Sequence, residues 1–146
     1  MTRELRDCLG HFATGVTVVT CEIDGVKHGA TVNSFTAVSL EPPLVLVSLD
    51  RRSKACHHLD NRPFVVNVLK ADQGDIAMHF AGRPAARPIP WDGTRIRDSL
   101  AHIVCAPWRS YDGGDHVLYL GEVEEIEVHQ GDPLVFYRGA FREAGA

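Results

Sequence analysis

At least seven strand candidates, joined by turns and by only two or three short helices, run through this chain without any regular strand–helix–strand alternation. That pattern excludes a doubly wound parallel sheet and predicts a mainly β fold, an antiparallel barrel. Its clearest piece is Gly15-Val16-Thr17-Val18-Val19-Thr20-Cys21 followed by Asp24-Gly25: β-branched residues, then a dipeptide suited to the positive φ angles of a tight hairpin turn. The returning strand covers residues 27–33 and leads through residues 34–39 to Pro42-Pro43. Residues 44–49, an apolar run between those prolines and Asp50-Arg51-Arg52, read as a central strand. Further strands are expected at residues 64–69, 101–106, 116–128 and 134–137.

Leu5, Cys8, Leu9 and Phe12 fall at helical spacing, with Thr2 placed to cap the helix and Gly15 to end it. Ser53 reads as the N-cap of a second helix reaching about residue 59, and residues 72–81 give a third. Residues 83–98 carry Pro84, Pro88 and Pro90 with four arginines and two aspartates, and are expected to form a surface excursion.

At 146 residues the chain has room for one domain, residues 1–146, and can bury a core without a metal or disulfide staple. A net charge of −4 argues against binding nucleic acid through its phosphates. Apolar runs reach only four residues, such as Leu44-Val45-Leu46-Val47, where a spanning helix needs about 20, so no membrane association is expected. The amino end has mixed charge and no continuous apolar stretch, which points to the cytoplasm rather than export. Cys8, Cys21, Cys56 and Cys105 form no Cys-x-x-Cys pair and read as buried thiols. His57-His58 and His79 lack His-x-x-x-His or His-Glu-x-x-His spacing, so no metal is expected.

Three stretches can carry chemistry. In residues 29–39, Thr31, Asn33 and Ser34 interrupt good strand formers with short uncharged polar groups. They suit the edges of a flat heteroaromatic ligand; the plainer reading is the solvated face of an edge strand. In Ser48-Leu49-Asp50-Arg51-Arg52-Ser53-Lys54-Ala55 a strand runs into a helix start, where free N–H groups, the Ser53 hydroxyl and the Lys54 ammonium suit a phosphate; the plainer reading is a capped helix beside a solvated basic turn. Gly114-Asp115-His116 places a histidine at a strand entrance, able to stack on or hydrogen-bond to an aromatic or amide group, or simply to face water. The run Glu122, Glu124, Glu125, Glu127 reads as a solvated face. There is no Gly-x-Gly-x-x-Gly turn after a strand, no Walker-type loop, no Gly-x-Ser-x-Gly elbow and no paired carboxylates.

Taken in order, Phe12-Ala13-Thr14-Gly15-Val16-Thr17-Val18-Val19-Thr20, residues 29–39, Pro42-Pro43-Leu44-Val45-Leu46-Val47-Ser48-Leu49, residues 64–69, Phe80-Ala81-Gly82, Gly114-Asp115-His116 and Pro133-Leu134-Val135-Phe136-Tyr137-Arg138-Gly139 resemble the flavin reductase-like, FMN-binding split-barrel family. The resemblance covers nearly the whole chain. It implies a homodimeric antiparallel split barrel that binds FMN or FAD near the subunit interface, reduces it with NADH or NADPH, and supplies reduced flavin to a separate monooxygenase. By the same analogy Ala30, Thr31, Val32, Asn33 and Ser34 line the flavin ring, Ser48 and Leu49 continue those contacts, and Ser53 and Lys54 hold the phosphate. Phe80, Ala81 and Gly82 flank the flavin, and His116 and Tyr137 face the nicotinamide. No catalytic side chain is implied, because hydride transfer between two cofactors needs binding and orientation from the protein. The excursion after Gly82 is shorter than the family usually has. That feature keeps two other readings in view: a non-enzymic flavin-binding protein, and a repurposed split-barrel enzyme of a biosynthetic pathway.

Overall fold

The structure, a computed structural model, describes residues 2–144, and the side chain of Cys56 lies outside the described set. A helix, α1 (Thr2–Leu9), precedes the short strand β1 (Thr14–Gly15). Then comes the expected hairpin of β2 (Thr17–Ile23) and β3 (Val26–Val32), in which Asp24 and Gly25 take φ angles of 52° and 79° and Ile23 faces Val26. Positive φ at both turn positions matches the right-handed twist of the flanking strands, which is why this dipeptide specifies the register. The chain continues through β4 (Thr36–Leu40), β5 (Pro43–Asp50) and β6 (Phe64–Val68) to α2 (Gly74–His79). A small hairpin follows, β7 (Trp91–Asp92) with β8 (Arg95–Ile96), and then the long ribbon of β9 (Ala101–Gly113) and β10 (His116–Val128). The last strands are β11 (Leu134–Tyr137) and β12 (Ala140–Glu143).

Seven strands form one antiparallel sheet in the order β3-β2-β6-β9-β10-β5-β4. The sheet curls until β3 returns beside β5, and there a side chain replaces the ladder. Ser34 Oγ donates to the Ser48 carbonyl at 2.9 Å and accepts from the Ser48 N–H at 3.2 Å. The result is a barrel with one seam unzipped, an antiparallel split barrel. Strand β2 is buried on both faces and its alternation sorts residues between two cores. Val19 and Cys21 join Val47, Leu49, Phe64, Val66 and Tyr119 inside the barrel. Val16 and Val18 join Leu69, Ile76, Ala77, Ile96 and Leu134 outside it. The small sheet β1-β11-β12 contributes Leu134 to that second core.

Several local expectations change in the folded chain. Residues 44–49 lie one strand in from the edge, between β10 and β4, and the middle of the sheet is β9. The first helix ends at Leu9, with Gly10 N–H still bonded to the Arg6 carbonyl, and Gly15 pairs with Val135 in β1 instead of ending a helix. Thr2 is already helical, and the Met1 position before it lies outside the described residues. Residues 72–81 resolve into a 3-10 turn at Ala71–Gln73 and the shorter α2. Strand β9 does not stop at Ala106. It passes Pro107 at an irregularity opposite Leu120 and Gly121, where an irregular ladder tolerates the missing N–H. Cys21 and Cys105 are buried as expected, whereas Cys8 is exposed on α1. Burial raises the Cys105 thiol to about 12, which keeps it protonated and inert.

The excursion runs mostly over the surface, as expected, but is anchored in the interior at Ile96. Ile96 and Ser99 are fully buried, because the barrel supplies polar side chains for its backbone. Asn67, itself fully buried, accepts from the Ile96 N–H at 2.9 Å and donates to the Val18 carbonyl at 2.9 Å. Thr20 Oγ1 donates to the Thr94 carbonyl at 2.6 Å, and Gln73 Nε2 donates to the Arg97 carbonyl at 3.1 Å. A loop with its backbone groups paired in this way can dip into the protein at Ile96 while the rest stays at the surface.

Candidate functional site

The polar strand and the chain after β5 meet in one cleft of about 630 Å³. One wall is the end of β3 with Asn33 and Ser34; the facing wall is the end of β5, with Ser48 and Leu49, continuing to Ser53 and Lys54. Phe80, Ala81 and Gly82, just after α2, form a third side, and His116 at the start of β10 stands at the mouth. Every position implied for the flavin, Ala30 through Ser34 included, and His116 with them, lines this cleft. Its volume falls within the range of small-molecule and cofactor sites.

Gly29 is required by close packing: a Cβ there would lie 2.7 Å from the Phe80 ring. Thr31 ties the same strand to α2, donating from Oγ1 to the Ala77 carbonyl at 2.6 Å and from its N–H to the Phe80 carbonyl at 3.3 Å. The hydroxyls of Thr31 and Ser34 are therefore engaged within the protein and set the shape of the cleft. Asn33 keeps its amide at the junction of the cleft with two smaller cavities, one lined by Phe136 and Phe141 and the other by Phe12 and Phe35.

Ser53 does not cap an α-helix. Residues 51–55 form turns, with Ser53 N–H bonded to the Asp50 carbonyl, and only a four-residue 3-10 helix, Cys56–Leu59, follows. No helix dipole acts at Ser53, since one 3-10 turn offers no aligned set of free N–H groups. Ser53 Oγ is buried and has no hydrogen-bond partner, and a buried hydroxyl left unpaired costs stability unless something fills its valence. Beside it Lys54 has no ion-pair partner among the described residues. Arg51 is committed to Asp112 and to the Gly114 carbonyl, and Arg52 to Asp50. Asp50 is held as a carboxylate, its pKa lowered to about 2, first by the Arg52 guanidinium and then by the Arg52 backbone N–H. An unpaired hydroxyl and an uncommitted ammonium side by side fit an anionic tail.

At the mouth, His116 Nδ1 lies 2.8 Å from Asp115 Oδ1. A carboxylate only accepts, so Nδ1 carries hydrogen and the neutral ring keeps Nε2 as an acceptor. Tyr137 is not brought to the cleft. It lies edge-on to His11, with the Arg142 guanidinium over its ring, on the face of β11 opposite to Phe136. Strand alternation explains this, because neighbouring residues point to opposite faces and Phe136 takes the inner one. Sequence reasoning passed over Gly29, Asp50, Ala55 and His79, which also line the cleft. Gly29, Asp50 and Ala55 lie within stretches already singled out and His79 adjoins Phe80-Ala81-Gly82, but nothing local marks any of the four as a lining residue.

The fold is a split barrel whose cleft ends in an uncommitted cation, and residues 9–145 match the family described as Flavin reductase like domain. The chain belongs to that family. Among its relatives, an NADH-dependent flavin reductase of a Rhodococcus species is 41% identical over 147 residues, spanning 94% of this chain and 84% of the relative. The reductase component of a 4-hydroxyphenylacetate 3-monooxygenase from Thermus thermophilus is 36% identical, spanning 97% of this chain and 96% of the relative. The solved structure of flavin reductase PheA2 superposes with a TM-score of 0.92 at 38% identity, covering 100% of this chain and 99% of that one. A complex of the Streptomyces globisporus NADH:FAD oxidoreductase SgcE6 with NAD and FAD fragments superposes with a TM-score of 0.87 at 36% identity, over 97% of this chain and 91% of that one.

Proposed function

We propose that this chain is an NADH-dependent flavin reductase that supplies reduced FMN or FAD to a separate monooxygenase. The observation that carries the reading is the convergence of the polar strand and the Ser53-Lys54 pair on one cleft, lined by the polar strand at one end and cationic at the other. A bound flavin supplies the hydride-accepting chemistry, and the protein supplies position and surroundings. In this reading the backbone of residues 30–34, with Ser48 and Leu49, orients the ring edge. Ser53 Oγ donates to the phosphate and Lys54 neutralises it. Phe80, Ala81 and Gly82 flank the ring. His116 would accept from the nicotinamide amide through Nε2 and so hold the reductant at the mouth of the cleft. NADH is chosen over NADPH because the relatives that name their reductant name NADH. Dependence on NADH also favours the cytoplasm as its location. The partner monooxygenase follows from relatives described as reductase components.

A second copy of the chain completes the assembly. Leu40 is 95% exposed and Val38 47% exposed on the free edge strand β4, and Leu5, Leu9 and Phe12 are exposed on and just after α1. Such an apolar surface next to an open strand edge suits a homodimer.

The test is NADH oxidation by the purified protein with and without added FMN or FAD. Oxidation that requires flavin is expected, and His116→Ala should raise the KM for NADH while leaving flavin affinity nearly intact. Flavin binding without oxidation would make the chain a carrier, and absence of both would overturn the reading.

A further inference from the structure

We propose that His102, Glu127 and His129 form a binding site for a divalent transition-metal ion of the Zn²⁺ type, at the end of the β9–β10 ribbon remote from the flavin cleft. None of the local histidine spacings that mark metal sites is present, so the site is assembled by strand register alone. His102 on β9 pairs directly with Glu127 on β10, and His129 follows two residues later, which places all three on one face. His102 Nδ1 lies 3.0 Å from Glu127 Oε1, and His129 Nε2 lies 2.9 Å from the same oxygen. All three ligand atoms fall within 4.8 Å of one another.

Hydrogen-bond accounting makes the cluster specific. His102 is buried, and its Nε2 sits 2.7 Å from the Ile96 carbonyl oxygen, which can only accept. Nε2 therefore carries the hydrogen, and a neutral ring turns the Nδ1 lone pair toward Glu127. A carboxylate oxygen also only accepts. Lone pairs of an imidazole and a carboxylate facing each other at this distance need a cation between them, either a proton or a metal. Arg95 engages the other Glu127 oxygen, Oε2, at 3.3 Å and also pairs with Glu125 at 3.0 Å, which leaves Oε1 to the two imidazoles. An imidazole N–H held by a backbone carbonyl and a carboxylate held by a guanidinium are the outer contacts that orient ligands in metal sites.

Two imidazole nitrogens and one carboxylate oxygen suit Zn²⁺ and its neighbours in the first transition row. Metal–ligand bonds of about 2.0–2.2 Å in a tetrahedron separate ligand atoms by about 3.4 Å. The contacts to Oε1 then widen slightly, while the His102–His129 separation closes by rotation of His129, which is half exposed. The open side leaves room for water as a fourth ligand. Along β10 the cluster stands roughly 35 Å from His116 at the usual rise per strand residue. Its neighbours Ile96 and Arg95 belong to β8, so an ion there fastens the β7–β8 hairpin to the end of the long ribbon. The site has a structural role and is independent of the proposed reductase activity.

Untagged protein, dialysed against chelator and then metal-free buffer, is titrated with Zn²⁺ by calorimetry and with Co²⁺ by visible absorption. One equivalent is expected to bind, and at a hundredfold excess of Zn²⁺ over Kd the thermal midpoint should rise by roughly 5–10 °C. His129→Ala and Glu127→Gln, both at half-exposed positions, should each weaken binding by about 100-fold or more. His28→Ala, in the separate His28–His58 ring pair, should leave it unchanged. Failure to bind one equivalent, or binding that survives both His129→Ala and Glu127→Gln, or that is lost in His28→Ala, overturns the proposal and leaves protons as the only cations in the cluster.

Discussion

At the scale of single residues, the cleft rim separates committed charge from uncommitted charge. Arg51 and Arg52 have acid partners and Lys54 has none among the described residues, although all three are cations within four positions of one another. A bond from Lys54 to a phosphate is charge-assisted, and removing it costs about 1.5–3 kcal/mol. Lys54→Ala is therefore expected to weaken FMN binding roughly 10- to 100-fold while sparing riboflavin, which has no phosphate. Quenching of flavin fluorescence measures both ligands, and equal losses would remove Lys54 from the anionic end. The Ser53-Lys54 pair was legible in the sequence as a hydroxyl beside a cation after an apolar strand. Its physical setting was not: a buried hydroxyl without a partner on an irregular turn replaces the helix terminus that the spacing suggested. Thr31 and Ser34 teach the converse. Their hydroxyls read as ligand contacts, yet both are spent on tying β3 to α2 and β5.

At the scale of elements, residues 83–98 show what a proline-rich and arginine-rich segment conceals. Their composition predicts surface, and most of the segment is at the surface, but Ile96 and, just beyond it, Ser99 are fully buried. The barrel strand β6 offers Asn67, which grips the Ile96 N–H and the Val18 carbonyl together. Asn67→Ala leaves both groups unpaired in the interior, and each orphaned buried group costs about 1–3 kcal/mol. Unfolding in urea should show a loss of at least about 2 kcal/mol, accompanied by faster hydrogen exchange at Ile96. A loss under 0.5 kcal/mol would mean that the hairpin is held by its apolar contacts alone. A lone asparagine in Phe64-Val65-Val66-Asn67-Val68 was visible beforehand as an odd polar residue in an apolar strand. Its partner, some 29 positions away, was not.

At the scale of the whole molecule, one copy of the chain leaves apolar surface that its own fold does not cover. Phe12 and Phe35 share a cavity that joins the turn after α1 to the start of β4, and Val38 and Leu40 extend the exposed surface along the free edge. The protein is expected to sediment as a dimer at micromolar concentration. Leu40→Asp should shift it toward monomer at least tenfold without altering its circular dichroism, because that side chain makes little contact within its own subunit. A wild-type protein that sediments as a monomer at tens of micromolar would remove the dimer from the proposal.

The amino-acid order by itself determined the elements that depend on near neighbours. The β-branched run of β2, the positive φ angles at Asp24-Gly25 and the strand that follows Gly114-Asp115 are set by energies acting over a few residues. The family was legible for the same reason, since its motifs are runs of adjacent residues. Tertiary structure alone decided which of those runs meet. It placed residues 30–34 and Ser53-Lys54 on facing walls, turned Tyr137 away while Phe136 faced inward, drew the excursion onto Asn67, and stacked His102 beside Glu127 and His129. Such meetings are fixed by strand register and by the need to pair every buried polar group. Both are settled between residues tens of positions apart, where no local pattern reaches.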